Sequence, residues 1–169
     1  DKNDPVFYSY GDSNPDAIFE IASMTKAITS TAVMQLVEKG KIDLDLPIEE
    51  YLPEINQIKI LNKDLSRSER DTPITMRHLL THTSGFVYFF NSLRVMEDLG
   101  MSPGDWPQPE ALSQDEYDWG FNAPQPRQIF EAGERWHYGR SLGIAGRVVE
   151  KVSGLDLDTY FKENIFEPL

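Results

Sequence analysis

Apolar positions recur at helical spacing in several stretches of the chain, and these predict its framework. Over residues 23–39, Ala27, Ile28, Thr31, Met34, Leu36 and Val37 form the apolar face of a first helix, Glu38 and Lys39 are polar, and Gly40 is placed to end it. Small residues fill its first turns, which predicts close packing on both sides, as in a central helix. A short helix with Pro47 near its start runs through Glu50 and stops at Leu52-Pro53. Another begins at Thr75 as N-cap, carries Met76, Leu79 and Leu80, and ends at Thr83-Ser84-Gly85. Leu142, Ile144, Ala145, Val148, Val149 and Val152 face inward on a longer helix closed by Gly154. Asp156 caps a last helix through Tyr160, Phe161 and Ile165 that stops before Pro168.

Strand signals are sparse. Residues 5–10 read as one short strand closed by the turn Gly11-Asp12-Ser13-Asn14-Pro15, and a lone strand needs partners that the chain scarcely supplies. Residues 56–71 are polar and read as a surface loop. Residues 100–127, rich in proline and holding Trp106 and Trp119, are too long for a plain connection and read as a lid-like loop or an insertion.

Composition narrows the function classes. The 169 residues suit one domain, and 40% hydrophobic with 11% aromatic residues fits a packed globular chain. A net charge of −12, from 16 basic and 28 acidic side chains, argues against a nucleic-acid partner. There is no membrane span and no visible leader, and compartment is left open. With no cysteine there is no disulfide, thiol nucleophile or thiolate metal site, so serine is the natural covalent route.

One serine stands out. Ser23 and Lys26 lie three positions apart at a helix start, so the amine can reach the hydroxyl. Their neighbours Ile21, Ala22, Ala27 and Ile28 are apolar, and burial there is expected to pull the lysine pKa down and make it a base. The helix N-terminus would favour an oxyanion beside Ser23. On these residues alone, a capping serine followed by a snorkelling lysine is the commoner reading. His78 and His82 stand at a zinc-site spacing but lack the accompanying glutamate, and read as structural. Asp43 and Asp45 read as turn-forming rather than calcium-binding. Phe86, Tyr88, Phe89 and Phe90 are either core or the apolar wall of an acyl site. The run Glu131-Ala132-Gly133-Glu134-Arg135-Trp136-His137-Tyr138-Gly139-Arg140 enters the long helix; its tyrosine, taken alone, reads as core.

The blocks Phe19-Glu20-Ile21-Ala22-Ser23-Met24-Thr25-Lys26, Val33-Met34-Gln35-Leu36-Val37-Glu38-Lys39-Gly40-Lys41-Ile42-Asp43-Leu44-Asp45 and Arg77-His78-Leu79-Leu80-Thr81-His82-Thr83-Ser84-Gly85 resemble the serine β-lactamase-like and penicillin-binding-protein-like hydrolases. The resemblance implies an α+β fold, an antiparallel sheet flanked by helices with a helical lobe, of which residues 1–169 would supply the nucleophile helix and the helical lobe but little of the sheet. It implies a single domain truncated at both ends, whose missing remainder is its partner. It also places the second catalytic motif on Tyr138, which would share proton transfer with Lys26 to and from Ser23, the tyrosine as phenolate near an ammonium being one form of the pair. Arg140 stands where lactam- and peptide-cleaving members carry asparagine. Tyr138-Gly139-Arg140-Ser141-Leu142 looks more like the family VIII carboxylesterases and lovastatin-type acyltransferases. Arg140 is then either a substrate contact or a helix-surface charge.

The expectation is an ester hydrolase working through an acyl-enzyme on Ser23, with a small-molecule ester as substrate and no cofactor or metal. Phe86, Tyr88, Trp136 and Arg140 are the candidate substrate contacts. Its rivals are an acyltransferase using the same three residues, a β-lactamase or D-Ala-D-Ala peptidase, and a non-catalytic binding module on the same fold. The third family motif has no counterpart after Tyr138, since Lys151-Val152-Ser153-Gly154 has the wrong spacing. The resemblance assigns one oxyanion donor to that absent strand, a loss worth roughly a hundredfold to a thousandfold in rate. Residues 1–169 alone are therefore expected to turn over p-nitrophenyl butyrate weakly or not at all; turnover at the rate of an intact esterase would contradict this.

Overall fold

The computed structural model describes residues 8–11, 14, 16–104 and 126–169. A tight turn, Ala22–Met24, leads into helix α1, Thr25–Glu38. Two short 3₁₀ segments, Ile48–Glu50 and Pro53–Gln57, precede strands β1, Ile60–Leu61, and β2, Arg67–Ser68. Helix α2, Met76–Leu80, is followed by β3, Phe86–Val87, a 3₁₀ turn, Phe89–Asn91, and α3, Leu93–Asp98. After β4, Arg127–Gln128, come α4, Ser141–Ser153, α5, Leu157–Phe161, and a wide final turn, Lys162–Phe166. The strands form one small mixed sheet in the order β2-β1-β4-β3, with β1 parallel to β4 and the other pairs antiparallel.

Helix α4 is the hub, packing on α1, α2 and α5. It does so because Leu142, Ile144, Ala145, Val148 and Val149 repeat on one face and are buried, as the sequence predicts. Gly154 closes it in the left-handed conformation at φ 75°, where glycine carries no Cβ penalty. Thr75 caps α2 reciprocally: its hydroxyl accepts from the His78 N–H at 3.3 Å, and His78 Nδ1 accepts from the Thr75 N–H at 3.2 Å. Asp156 caps α5 through the Thr159 N–H at 2.8 Å. Asp43 and Asp45 serve a turn. Asp43 Oδ1 accepts from the Asp45 N–H at 2.8 Å, and Asp45 binds Arg77 through two contacts of 2.7 Å.

Several expectations are corrected. The buried face of α1 is Thr29, Ala32, Val33 and Leu36, whereas Ala27 and Thr31 are exposed and Met34 is 46% exposed. Thr29 can turn inward because its hydroxyl is satisfied by the Thr25 carbonyl at 3.2 Å. The predicted packing on both sides of α1 is absent among the described residues. Residues 56–71 are not a plain surface loop: Ile58 is buried, Ile60 and Leu61 are buried and form β1, while Asn62, Asp64 and Ser66 make the polar turn to β2. Of the predicted opening strand, residues 5–7 lie outside the described residues, and Tyr8 and Tyr10 are exposed without strand structure. Most of the predicted lid, residues 105–125, also lies outside them. Its end, Arg127–Gln128, is a strand of the sheet.

One close approach fixes the chain that follows β4. A Cβ on Gly139 would lie 2.1 Å from the Phe86 carbonyl oxygen and 2.6 Å from the Val87 Cα, both backbone atoms of β3. Only glycine fits there without moving the strand. Gly139→Ala is expected to destabilise the protein by about 1–3 kcal/mol or more. Gly154→Ala, which meets no neighbour and carries only its backbone penalty, should cost about 1 kcal/mol; urea-unfolding midpoints compare the two.

Candidate active site

Ser23 sits in the turn that starts the first helix. The residue before it, Ala22, has φ 44°, a left-handed conformation that side-chain-bearing residues rarely adopt. Lys26 follows in the first turn of α1, and its Nζ donates to Ser23 Oγ at 3.0 Å. Tyr138 arrives on the segment between β4 and α4, and its hydroxyl donates to the same Ser23 oxygen at 2.7 Å. The three residues thus meet at one atom, although the phenol comes from far along the chain.

Around them lies an aromatic shell. The Lys26 ammonium stands 4.9 Å from the Tyr138 ring centre and 5.7 Å from that of Tyr88, close enough for cation–π attraction. Tyr88 packs 5.8 Å from Tyr138 and stacks nearly parallel on Phe90 at 4.9 Å. On the other side His82 packs 4.7 Å from Tyr138, and Trp136, 64% exposed, meets His82 edge-on at 6.4 Å. This makes an open apolar surface beside a nucleophile.

The electrostatics favour an ammonium beside a phenolate over a lysine base. Burial pulls the Lys26 pKa down, but hydrogen bonding to the Tyr138 and Tyr88 phenols and attraction to their charge outweigh it, leaving that pKa above the ordinary lysine value. The Tyr138 phenol is held below its ordinary value, first by its hydrogen bond to Lys26 and then by that to Ser23. Lys26 therefore keeps its proton, and Tyr138 is the group closer to giving one up. The pair can act as ammonium and phenolate, with the phenolate as the base for Ser23.

Of the predicted substrate contacts, Tyr88 is beside the site, and Trp136 borders it through His82. Phe86 is a correction: its side chain is 0% exposed and packs in the main core, because β3 turns that residue inward. Arg140 is buried at the head of α4, and burial lowers its pKa to about 10. This overturns the helix-surface alternative and leaves only 9% of the residue open to a substrate. Two residues at the site carry more than the sequence suggests. His82 packs on Tyr138, and among the described residues no group of three or more His, Asp or Glu is arranged to hold a metal. Phe90, part of the predicted aromatic cluster, is 51% exposed and extends the surface next to Tyr88.

The family profile described as β-lactamase matches residues 1–169. The chain belongs to the β-lactamase family. It is 40% identical over 161 residues to acyltransferase calJ of Penicillium decumbens, matching 91% of this chain and 36% of that protein. Esterase EstB of Burkholderia gladioli is 31% identical over 160 residues, with 91% and 37% covered. The unliganded structure of simvastatin synthase from Aspergillus terreus, as its selenomethionyl derivative, superposes with a TM-score of 0.70 at 34% identity, covering 87% of this chain and 36% of that one. The chain thus spans little more than a third of the length of these relatives. Its fold is of the serine β-lactamase and penicillin-binding-protein type, here as a small mixed sheet with several helices. Its relatives are acyltransferases and esterases, which makes it part of an enzyme family.

The opposed shifts of Lys26 and Tyr138 fix the sign of a pH dependence. In the complete protein, kcat/KM should rise with pH to an inflection below 10, as Tyr138 loses its proton, and fall beyond one above 10.5, as Lys26 loses its own. Lys26→Met removes the cation that favours the phenolate. A pH–rate profile should show the rising limb displaced to higher pH.

Proposed function

We propose that this chain carries the nucleophile centre of a serine acyl-transfer enzyme, in which Ser23 takes an acyl group from an ester-type donor and passes it to an acceptor hydroxyl. The observation that carries the reading is the convergence of Lys26 and Tyr138 on Ser23 Oγ at 3.0 Å and 2.7 Å. In the first half-reaction Tyr138, as phenolate, takes the Ser23 proton while Oγ attacks the acyl carbon. The carbonyl π pair moves to oxygen, and the Ser23 N–H at the helix entry is one donor to that oxyanion. Collapse expels the alcohol, which receives the proton from Tyr138. In the second half-reaction the acceptor hydroxyl gives its proton to Tyr138 and attacks the acyl carbon; collapse breaks the bond to Ser23 Oγ, and Tyr138 returns the proton to Oγ, which restores both the free serine and the phenolate. Lys26 stays protonated throughout and stabilises the negative charge on the phenol oxygen.

Transfer to an alcohol is favoured by the 40% identity to a fungal acyltransferase. Hydrolysis, in which water is the acceptor, is the second reading, supported by the 31% identity to an esterase. The open surface of Tyr88, Phe90 and Trp136 suits an apolar acyl chain or acceptor. The uncovered side of α1, with Met24, Ala27 and Met34, suits coverage by further parts of the fold such as the longer relatives possess.

With the complete protein and an aryl ester donor, intact-mass analysis after acid quench should find one acyl adduct, absent in Ser23→Ala. Tyr138→Phe should slow acylation by about 10²–10⁴-fold. Adding an alcohol should divert acyl groups from free acid to new ester. Failure to form any Ser23 adduct would overturn acyl-enzyme chemistry, whereas an adduct that yields only acid would replace transfer by hydrolysis.

A further inference from the structure

The peptide unit that joins Tyr138 to Gly139 is gripped by side chains at both of its polar ends. Its carbonyl oxygen accepts a hydrogen bond from Asn91 Nδ2 at 3.0 Å and lies 3.1 Å from His137 Nδ1. Its N–H donates to His82 Nδ1 at 3.4 Å. The two outer holders come from different parts of the chain: Asn91 ends the 3₁₀ turn after β3, and His82 follows α2.

His82 is itself fixed in place. Its backbone is left-handed at φ 57°, its carbonyl accepts from the His137 N–H at 2.9 Å, and its ring packs on that of Tyr138. To accept from Gly139, Nδ1 must carry no proton. Burial and the neighbouring Lys26 charge lower the imidazole pKa and keep it neutral at neutral pH.

A peptide plane held at both N–H and C=O cannot rotate freely, and the Tyr138 Cα is one corner of that plane. The tyrosine side chain is a long lever from that corner. A small rotation of the plane becomes a larger displacement at the phenol oxygen, where about 1 Å of misplacement is worth roughly a hundredfold in rate. We infer that His82 and Asn91 form a side-chain clamp on the Tyr138-Gly139 peptide and are positioning residues for the Tyr138 phenol. Both hold that peptide and act on the chemistry through Tyr138. The inference rests on the acyl-enzyme reading above.

The test is a set of double variants in the complete protein. Asn91→Ala and His82→Gly, the latter keeping the left-handed backbone while removing the acceptor, should each lower kcat by about tenfold to a hundredfold with KM nearly unchanged. His82→Asn, which tolerates the same backbone and restores a side-chain acceptor, should recover much of the loss. In a Tyr138→Phe background neither Asn91→Ala nor His82→Gly should slow the residual rate further. Asn91 is exposed, so its variant carries the test if His82→Gly does not fold. Wild-type kcat in Asn91→Ala, or equal losses with and without the phenol, would overturn the clamp and leave the acyl-enzyme reading standing. A Tyr138→Phe protein as fast as wild type would instead overturn that underlying reading.

Discussion

The hydrogen bond from the Tyr138 phenol to the Ser23 hydroxyl spans 115 positions of chain, and most of the structure can be understood as the means of keeping it short. Ser23 is fixed by its place at the entry to α1. Tyr138 has no helix or strand of its own; it sits on a connecting segment between β4 and α4. Its position is inherited from two directions. Helix α4 anchors the segment by packing on α1, and β3 presses against it at Gly139. Beneath this junction the Ser84 and Ser141 hydroxyls share a buried hydrogen bond of 2.8 Å, joining the end of the α2 segment to the start of α4 without leaving either hydroxyl unsatisfied. The buried Gln128 amide on β4 donates to the Ser84 and Phe130 carbonyls and draws the same region together.

Charge at the centre follows from this packing. A lysine beside a serine invites the idea of an amine base, but an amine becomes a base only when desolvation exceeds every attraction that holds its proton. Here burial lowers the Lys26 pKa, but hydrogen bonds to the Tyr138 and Tyr88 hydroxyls and attraction to their charge outweigh it. The same attraction works in reverse on Tyr138 and makes the phenol more acidic. In the proposed reaction the division of labour between cation and base would thus follow from the two phenol hydroxyls around Lys26.

The parts of this arrangement legible in sequence are those written locally. The face of α4, the Thr75 and Asp156 caps and the Gly154 stop each depend on residues within a few positions, and the structure has them where periodicity and capping chemistry put them. Ser23 and Lys26 are legible for the same reason. Tyr138 was not, except by resemblance, because a tyrosine at a helix entrance looks the same whether it fills a core or faces a nucleophile. The strands escaped notice because each is two residues long, too short for alternation to register. The face of α1 is ambiguous in sequence because small and apolar residues lie all round the helix: Thr29 and Thr31 both bond to the preceding turn, and only the fold turns the first inward and leaves the second exposed. Phe86 and Arg140 were misjudged by character: an aromatic in a cluster and a charge at a helix head suggest a binding wall, yet both are buried.

The left-handed backbone of Ala22 has a further consequence. An alanine held there stores on the order of 1–2 kcal/mol that extended or right-handed backbone would release. That energy sits one residue from the nucleophile, in the exposed turn that enters α1. On warming, such a turn is expected to relax before the helix behind it melts, so that the aim of the Ser23 hydroxyl would be lost while most of the helical signal remained.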